Sequence, residues 1–249
     1  NVYVTGQYSS NPLTIYNYDG STFGTLINSS SGSDCFIVKY NTTGTAQWAT
    51  RMGGTYGIDV DLGTGIATDS NGNVYVTGYY YANPLTIYNY DGSTFGTLSK
   101  NGNNTDCFIV KYNTTGTAQW ATRIAGPSTD RSNGIATDSN GNVYVTGYYS
   151  SNPLTIYNYD GSTFGTLPQG GTTDCFIVKY NTTGTAQWKM LIGGPGNNDR
   201  CNAIATDSNG YVYAIGQYNS NPLTIYNYDD STFGTLSSSG SLSVFIVQI

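Results

Sequence analysis

The stretch DCFIVKYNTTGTAQW, Asp106–Trp120, occurs unchanged at two further places in the chain, beginning at Asp34 and at Asp174. A second string, NVYVTG, begins at Asn1, Asn73 and Asn142, and a drifted copy, YVYAIG, begins at Tyr211. Successive copies of this string are separated by 72, 69 and 69 residues. The chain therefore consists of four related units of about 70 residues each, and this repetition decides the fold.

A complete unit contains four short β-strand patterns, and no unit contains a helical pattern. In the second unit, strands are predicted at residues 65–69, 73–78, 107–112 and 117–124. The Asn-Gly pair at residues 71–72 predicts a hairpin between the first two strands. The third strand, CFIVKY, is apolar on both alternating faces, which is typical of a strand buried between two neighbouring sheets.

An insert with the sequence NPLTIYNYDGSTFGTL occupies residues 83–98, between the second and third predicted strands. Its Asp91-Gly92 pair predicts the turn of an additional hairpin. Four-stranded units that repeat with turn signals predict an all-β chain, a β-propeller built of blades of about 70 residues with an extra hairpin. An open β-solenoid or fibre is the alternative, although 69–72 residues is long for one solenoid coil. We predict a single array over residues 1–249, with units starting near residues 1, 65, 134 and 203.

The segment DCFIVKYNTTGTAQWATRI, followed by a Gly/Asp-rich loop and NGIATDSNGNVYVTGYY, resembles the bacterial "seven-bladed β-propeller" (SBBP) repeat family. It is similar more distantly to NHL-type blades. The resemblance covers every unit and implies a propeller fold in a surface or secreted repeat protein, without an assigned activity. The Asn-Pro-Leu-Thr-Ile-Tyr insert departs from the family pattern.

The first and last units each contain three of the four predicted strands. The first unit lacks an inner strand and the last lacks an outer strand, so the two do not complement each other into one closed blade. We therefore expect a fragment of a longer array, or a subunit that meets copies of itself through open edge strands.

Composition excludes several functional classes. The 249 residues include nine basic residues and fifteen acidic residues, all of them Asp, and they contain no His and no Glu. Imidazole-dependent zinc sites and Ser-His-Asp or Cys-His catalysis are therefore impossible within this chain. A net charge of -6 argues against nucleic-acid binding, and no apolar run is long enough to predict a membrane span. Because the recurring Asp residues belong to repeated motifs, we expect a protein that is not an enzyme and has no catalytic residues.

Three of the four cysteines, Cys35, Cys107 and Cys175, occupy one repeat position, where the fourth unit has Val244. That substitution indicates a small buried apolar site. Equivalent positions in successive blades are too far apart for a disulfide, and Cys201 replaces Ser132 of the preceding unit. We expect free, buried thiols, with disulfide pairing as the less favoured alternative.

The Asp-Ser-Asn-Gly-Asn segment at residues 69–73 recurs at Asp138 and, in altered form, at Asp207, and it superficially resembles the start of a calcium loop. Calcium needs six to eight oxygen ligands, and the chain has no Glu for the last EF-hand position. A turn in which Asp accepts backbone hydrogen bonds is the simpler interpretation. We therefore predict no cofactor and no metal ion, with a calcium ion between turns as the alternative.

Variable Gly/Asp-rich loops lie at residues 53–63, 125–133 and 193–202, and two of them contain Asp-Arg pairs, Asp130-Arg131 and Asp199-Arg200. We expect ion pairs within or between blades there, with ligand contact as the alternative.

Tyrosine is abundant, with 24 residues, and one pair recurs in every insert. Residues i and i+2 of a strand share a face, so each pair is predicted to form an aromatic ridge. Tyr suits recognition surfaces because it offers a large contact area at little entropic cost, although packing between blades would also use such rings. We predict an extracellular or surface scaffold that binds a protein or glycan surface through Tyr16, Tyr18, Tyr88, Tyr90, Tyr157, Tyr159, Tyr226 and Tyr228.

Overall fold

The computed structural model describes residues 1–28, 31–54, 60–238 and 242–249. The first eleven strands are β1 (Val2–Tyr8), β2 (Leu13–Tyr16), β3 (Thr22–Leu26), β4 (Asp34–Tyr40), β5 (Ala46–Gly53), β6 (Leu62–Thr68), β7 (Val74–Tyr80), β8 (Leu85–Tyr88), β9 (Thr94–Leu98), β10 (Asp106–Tyr112) and β11 (Ala118–Ala125). The others are β12 (Asp130–Thr137), β13 (Val143–Tyr149), β14 (Leu154–Tyr157), β15 (Thr163–Leu167), β16 (Asp174–Tyr180), β17 (Ala186–Gly193), β18 (Arg200–Thr206), β19 (Val212–Tyr218), β20 (Leu223–Tyr226), β21 (Thr232–Leu236) and β22 (Ser243–Gln248). In these described ranges, no helix has the length and hydropathy needed to cross a bilayer.

The strands form four blades of antiparallel sheet. Blade 2 contains β6-β7-β10-β11 and blade 3 contains β12-β13-β16-β17, while blade 1 contains β1-β4-β5 and blade 4 contains β18-β19-β22. This order confirms the predicted all-β fold and the four predicted strands of the second unit. The first of these strands begins at Leu62, three residues earlier than expected.

The inserted hairpin of each later unit joins the blade of the preceding unit. Strand β8 pairs with β5 of blade 1, where Ile87 lies opposite Met52. In the same way Ile156 of β14 lies opposite Ile124 of β11. Blades 2 and 3 are thereby extended to six strands, whereas β2 and β3 form a separate two-stranded sheet. The sequence predicted the hairpin but not its position on the neighbouring blade.

The predicted turns are formed by residues that suit them. Gly72 and Gly92 have φ angles of 78° and 81°, a conformation that glycine adopts without steric cost. The Asp69 carboxylate accepts hydrogen bonds from the backbone N–H groups of Asn71 and Asn73, from the Asn73 amide and from the Tyr75 hydroxyl. This is the hydrogen-bonding pattern of the predicted turn. Within the described ranges, no three potential metal ligands gather at one point.

Successive blades pack face to face, and the third strands of blades 2 and 3 are buried on both sides. In β10, Ile109 packs in the core between blades 2 and 3, while Phe108 and Val110 pack between blades 1 and 2. The burial of both faces predicted from CFIVKY is therefore confirmed. The inner strands β6, β12 and β18 also contact one another in succession. The hydroxyl of Thr137 fixes their register by donating to the Thr68 carbonyl over 2.8 Å.

A disulfide joins Cys175 of β16 to Cys201 of β18, with 5.3 Å between their Cα atoms. The expectation of free thiols is wrong for this pair. The first strand of each blade faces the third strand of the preceding blade. The partner of Cys175 is therefore Cys201, which has the same place in blade 4 that Ser132 has in blade 3. It is not a residue in the repeat position shared by Cys35, Cys107 and Cys175. Cys35 and Cys107 are free and buried, as expected. Burial raises the pKa of the Cys35 thiol to about 12.

Candidate binding grooves

Two equivalent grooves lie on the outer part of the array, between neighbouring blades. Groove 1 is bounded by β3, β5 and the turn that follows β8. Groove 2 is bounded by β9, β11 and the turn that follows β14, and its cavity volume is about 520 Å³. Because each turn belongs to a hairpin of the next unit, a groove exists only where the hairpin has joined the preceding blade.

The two grooves have the same side chains at equivalent positions. Both combine aromatic rings with amide, hydroxyl, guanidinium and carboxylate groups. Groove 1 is lined by Phe23, Thr25, Gln47, Trp48, Thr50, Arg51, Tyr88, Asn89, Tyr90 and Asp91. Groove 2 is lined by Phe95, Thr97, Gln119, Trp120, Thr122, Arg123, Tyr157, Asn158, Tyr159 and Asp160.

An arginine stacked on a tyrosine forms part of each groove wall. The guanidinium carbon of Arg51 lies 4.0 Å from the centroid of the Tyr88 ring, and that of Arg123 lies 4.4 Å from the centroid of Tyr157. Arg51 also forms an ion pair with Asp34 at 2.9 Å. These contacts hold the guanidinium planes in place at the groove walls.

The turn of each hairpin is fixed at both ends. In groove 2, Tyr159 donates its backbone N–H to the Gly184 carbonyl over 3.0 Å, and the Asn158 side chain accepts from the backbone of Ala186 over 2.9 Å. The Thr122 hydroxyl donates to the Tyr157 carbonyl over 2.8 Å. The groove is therefore a rigid surface before any ligand arrives.

The acidic group at each groove edge is an ionised acceptor. A side-chain hydrogen bond from Ser162, followed by one from its backbone N–H, lowers the pKa of Asp160 below its ordinary value. Ser93 does the same for Asp91. Each groove is lined by one arginine and one aspartate, and in groove 1 Arg51 is also paired with the buried Asp34.

Four of the eight predicted tyrosines line these grooves. Tyr88 and Tyr90 lie in groove 1, and Tyr157 and Tyr159 lie in groove 2. Each pair does not form a continuous ridge along a strand, because a register shift separates Ile87 from Tyr88 and places Tyr90 in the turn. Tyr90 and Tyr159 are each 52% exposed, whereas their partners are half-buried beneath the arginines.

The other four predicted tyrosines lie on the first and last hairpins. Tyr16 and Tyr18 are exposed on the β2–β3 hairpin, which pairs with no further strand in the described residues. Tyr228 is exposed, and Tyr226 packs against the core between blades 2 and 3. The structure thus separates the four predicted tyrosines that line a groove from four that line neither groove 1 nor groove 2.

Several groove residues were missed by the sequence analysis, above all Arg51 and Arg123 on the fourth strand and Phe23 and Phe95 on the hairpin. They come from different units than the tyrosines they accompany. One signal was available, since the arginine recurs in two units and is replaced by Leu191 in the third.

The predicted Asp-Arg pairs connect blades. The Asp130 carboxylate is buried and accepts a 2.7 Å hydrogen bond from the Ser151 hydroxyl. Arg131 stacks on Tyr79 of the preceding blade at 4.4 Å, and Arg200 stacks on Tyr148 at the same distance. The two arginines thus connect neighbouring blades by stacking on tyrosine, and the prediction of ion pairs is wrong for these four residues, which form none in the described part of the chain. Residues 55–59 of the first variable loop lie outside the described residues.

Buried carboxylates also face one another across the interface of blades 2 and 3. Asp106 and Asp130 are both fully buried. Desolvation by burial raises the pKa of each to about 7, and the negative charge of Asp106 contributes to the rise at Asp130. Arg123 and Lys100, together with backbone N–H groups, lower the pKa of Asp106 only in part.

Comparison with known proteins agrees with this architecture. The SBBP family, described as a beta-propeller repeat, matches residues 47–84, 119–154 and 187–224. An uncharacterized WD repeat-containing protein of Acanthamoeba polyphaga mimivirus is 35% identical over 265 aligned residues, which include 91% of this chain. The chain spans 18% of the length of that relative.

A crystal structure of a protein of unknown function from Bacteroides caccae aligns over 99% of this chain and 98% of its own, with 12% identity and a TM-score of 0.23. The family matches fall at the same place in three successive units, beginning in the fourth strand and ending at the start of the next hairpin. The chain contains three β-propeller repeats that match the SBBP family.

Proposed function

We propose that the chain is a non-catalytic binding scaffold, displayed outside the cell or on a particle surface, whose grooves 1 and 2 hold segments of a neutral glycan. The observation that carries the proposal is the recurrence of the same set of side chains in both grooves. Aromatic rings offer flat apolar faces to the C–H faces of a sugar, and the amide, hydroxyl and guanidinium groups suit its hydroxyls.

The repetition of the groove favours a polymer as ligand. Two identical grooves on one rigid array match a chain of identical sugar units, and joint occupation of both sites raises the apparent affinity without a new contact. The balanced charge of Arg123 and Asp160 favours a neutral glycan over an acidic one. A protein surface, the other partner predicted from the sequence, would need no such repetition.

A binding role also fits the chemistry better than hydrolysis. Glycoside hydrolysis generally uses two carboxyl groups, one of which is held protonated. Each groove has a single lining carboxylate, Asp91 or Asp160, and its pKa is lowered by the neighbouring serine. The Cys175–Cys201 disulfide supports display in an oxidising environment.

The test is calorimetric titration with cellohexaose, mannohexaose and chitohexaose. We expect one of these neutral sugars to bind with two sites per chain, and Tyr90→Ala to remove one site because the ring at the edge of groove 1 is lost. Tyr90→Ala combined with Tyr159→Ala should weaken binding at least about tenfold, equivalent to about 1.4 kcal/mol.

Tyr211→Ala is the matched control, since Tyr211 is similarly exposed but lies outside both grooves. It should bind the sugar as the unmodified protein does. The glycan proposal fails if none of the three sugars binds, or if the double variant binds as tightly as the control.

A second candidate function, a self-assembling structural subunit, is favoured by the outer faces of blades 1 and 4. Val244 and Ile246 are each 69% exposed, although their equivalents in β10, Cys107 and Ile109, are fully buried by the next blade. Val2 of blade 1 is likewise 55% exposed. The two faces are complementary in the way that internal blade faces are, so the next blade of an array would bury both, whether it belongs to the same chain or to a second copy packed head to tail.

Sedimentation velocity over a range of protein concentrations checks this candidate. We expect concentration-dependent association that is abolished by Val244→Arg, because an unpaired charge in the apolar contact is costly. Thr232→Arg, on an exposed residue of the β20–β21 hairpin, is the control and should still associate. A protein that stays monomeric at every concentration would contradict assembly through these faces.

A further inference from the structure

The position that should form a third groove carries two linked substitutions. This position is bounded by β15, β17 and the turn that follows β20, and we call it groove 3. Lys189 stands where grooves 1 and 2 have Ala49 and Ala121. Asp230 stands where they have glycine. The Lys189 ammonium contacts both oxygens of the Asp230 carboxylate, at 3.0 and 3.3 Å.

The lysine side chain occupies space that is open in the other grooves. A Cβ atom placed on Gly165 of β15 would lie 3.4 Å from Cε of Lys189 and 3.9 Å from its Cδ. At the equivalent Gly24 and Gly96, no atom lies within 4 Å of such a Cβ. Lys189 therefore extends across groove 3 from the β15 side to the turn that carries Asp230.

Asp230 is held in an unfavourable backbone conformation. Its φ angle is 65°, and it is the only non-glycine residue with positive φ in the parts of the chain that the structure describes. The left-handed region costs most residues about 1 to 2 kcal/mol, less for Asp than for most, and glycine adopts it without this cost. The equivalent positions in the other three hairpins are Gly20, Gly92 and Gly161. Asp230 replaces glycine at a position that favours glycine, and its carboxylate contacts Lys189, the one lysine of β17. The two substitutions therefore form a pair and are not independent changes.

Two further residues of β17 that line groove 3 also differ from their equivalents in groove 2. Met190 and Leu191 replace the Thr122 and Arg123 of groove 2. Leu191 is buried, and it removes the guanidinium that stacks on tyrosine in the open grooves.

We propose that the Lys189–Asp230 ion pair closes groove 3, so that a ligand occupies grooves 1 and 2 only. This inference rests on the proposed function for its consequence, the number of bound ligands. The closure itself is a property of the chain alone and is tested separately.

The first experiment measures access to the groove without any ligand. Cysteine is introduced at Gly96 or at Gly165, and its reaction with fluorescein maleimide is followed. Cys35 and Cys107 are fully buried, so they contribute little background. Each rate is divided by the thiolate fraction, because a neighbouring ammonium lowers the pKa of a thiol and speeds its reaction. On this basis we expect Gly165→Cys to react about tenfold more slowly than Gly96→Cys, and the addition of Lys189→Ala to remove most of this difference. Lys100→Ala, in the same Gly165→Cys protein, should leave the slow rate unchanged.

The second experiment counts binding sites. Groove 3 is rebuilt with Lys189→Ala, Met190→Thr, Leu191→Arg and Asp230→Gly, which gives it the side chains of groove 2. Titration with the tightest-binding of the three hexasaccharides should saturate at two per chain for the unmodified protein and at three for the rebuilt one.

Equal labelling rates at Gly96→Cys and Gly165→Cys would overturn the closure, and so would three sites in the unmodified protein. A rebuilt protein that still binds two sugars would show that the four substitutions do not account for the missing site. If the unmodified protein binds no sugar, the proposed function fails, and the labelling rates still decide whether the ion pair closes groove 3.

Discussion

Lowering the pH from 8 to 5 is expected to raise the melting temperature of this protein by about 5 °C. Burial raises the pKa of Asp106 and of Asp130 to about 7 in the folded state, whereas an unfolded Asp titrates near 4. Between these values the folded chain binds protons that the unfolded chain does not. Its free energy of unfolding therefore increases as the pH falls, by about 2 to 3 kcal/mol if the two coupled groups together take up about one proton.

The trend reverses at lower pH. Burial alone would raise the pKa of Asp69, but hydrogen bonds from Asn73, Tyr75 and Asn71 together lower it below its ordinary value. Asp138 is held in the same way. Because a lowered folded pKa stabilises the protein only while the group is ionised, this contribution is lost as the pH falls below about 4. Stability should be greatest near pH 5.

Calorimetric melting between pH 3 and pH 8 measures this profile. Asp106→Asn should flatten the slope above pH 5, because it removes one of the two buried titrating groups. Asp91→Asn is the matched control, since Asp91 is exposed and its pKa is lowered, and it should leave that slope unchanged. A melting temperature that rises from pH 5 to pH 8 would contradict the assignment.

Replacement of Cys201 by serine is expected to lower the melting temperature by about 5 to 10 °C. The Cys175–Cys201 disulfide closes a loop between residues 26 apart, and loss of such a cross-link costs about 3 kcal/mol through the entropy of the unfolded chain. The substitution leaves a thiol opposite a hydroxyl, which is the arrangement of Cys107 and Ser132 between blades 2 and 3. The variant should therefore fold, with its third interface resembling the second.

The reciprocal substitution is Ser132→Cys, which should form a second disulfide with Cys107. Intact mass under non-reducing conditions and thiol titration detect that bond. The stabilisation should be smaller, about 1 kcal/mol, because the hydrogen bonds that Ser132 makes with Thr77 and Gly78 are lost. A Cys201→Ser protein that melts with the parent protein, or a Ser132→Cys protein that keeps three free thiols, would contradict this view of the interface.

Local chemistry made much of the fold predictable. The Asn-Gly and Asp-Gly turns, the two-faced apolar strand CFIVKY and the exact copies of whole segments all indicated β-blades, and the structure has each of them. The burial of both faces of β10 followed from alternation alone, because Phe108 and Ile109 are adjacent in sequence and point to opposite neighbours.

Contacts between units were the part that the sequence could not supply. Nothing local to Ile87 specifies that it pairs with Met52 of the preceding unit, since any exposed strand edge satisfies the hairpin equally well. For the same reason the sequence did not predict that Cys175 forms a disulfide with Cys201 or that Arg51 stacks on Tyr88. Each depends on which blade face meets which, a property of the array and not of one repeat.

Because each hairpin pairs with the preceding blade in the same way, the gene can gain or lose whole repeats without changing the contacts between blades. A unit removed or duplicated as a whole leaves the remaining neighbours with the same partners, because Ile156 meets Ile124 as Ile87 meets Met52. Deletion or duplication of one whole repeat length, wherever within the repeat it starts, therefore restores the same hairpin–blade pairing, provided that the reading frame is kept. Gain or loss of one period therefore changes the number of grooves between blades, open or closed, by one.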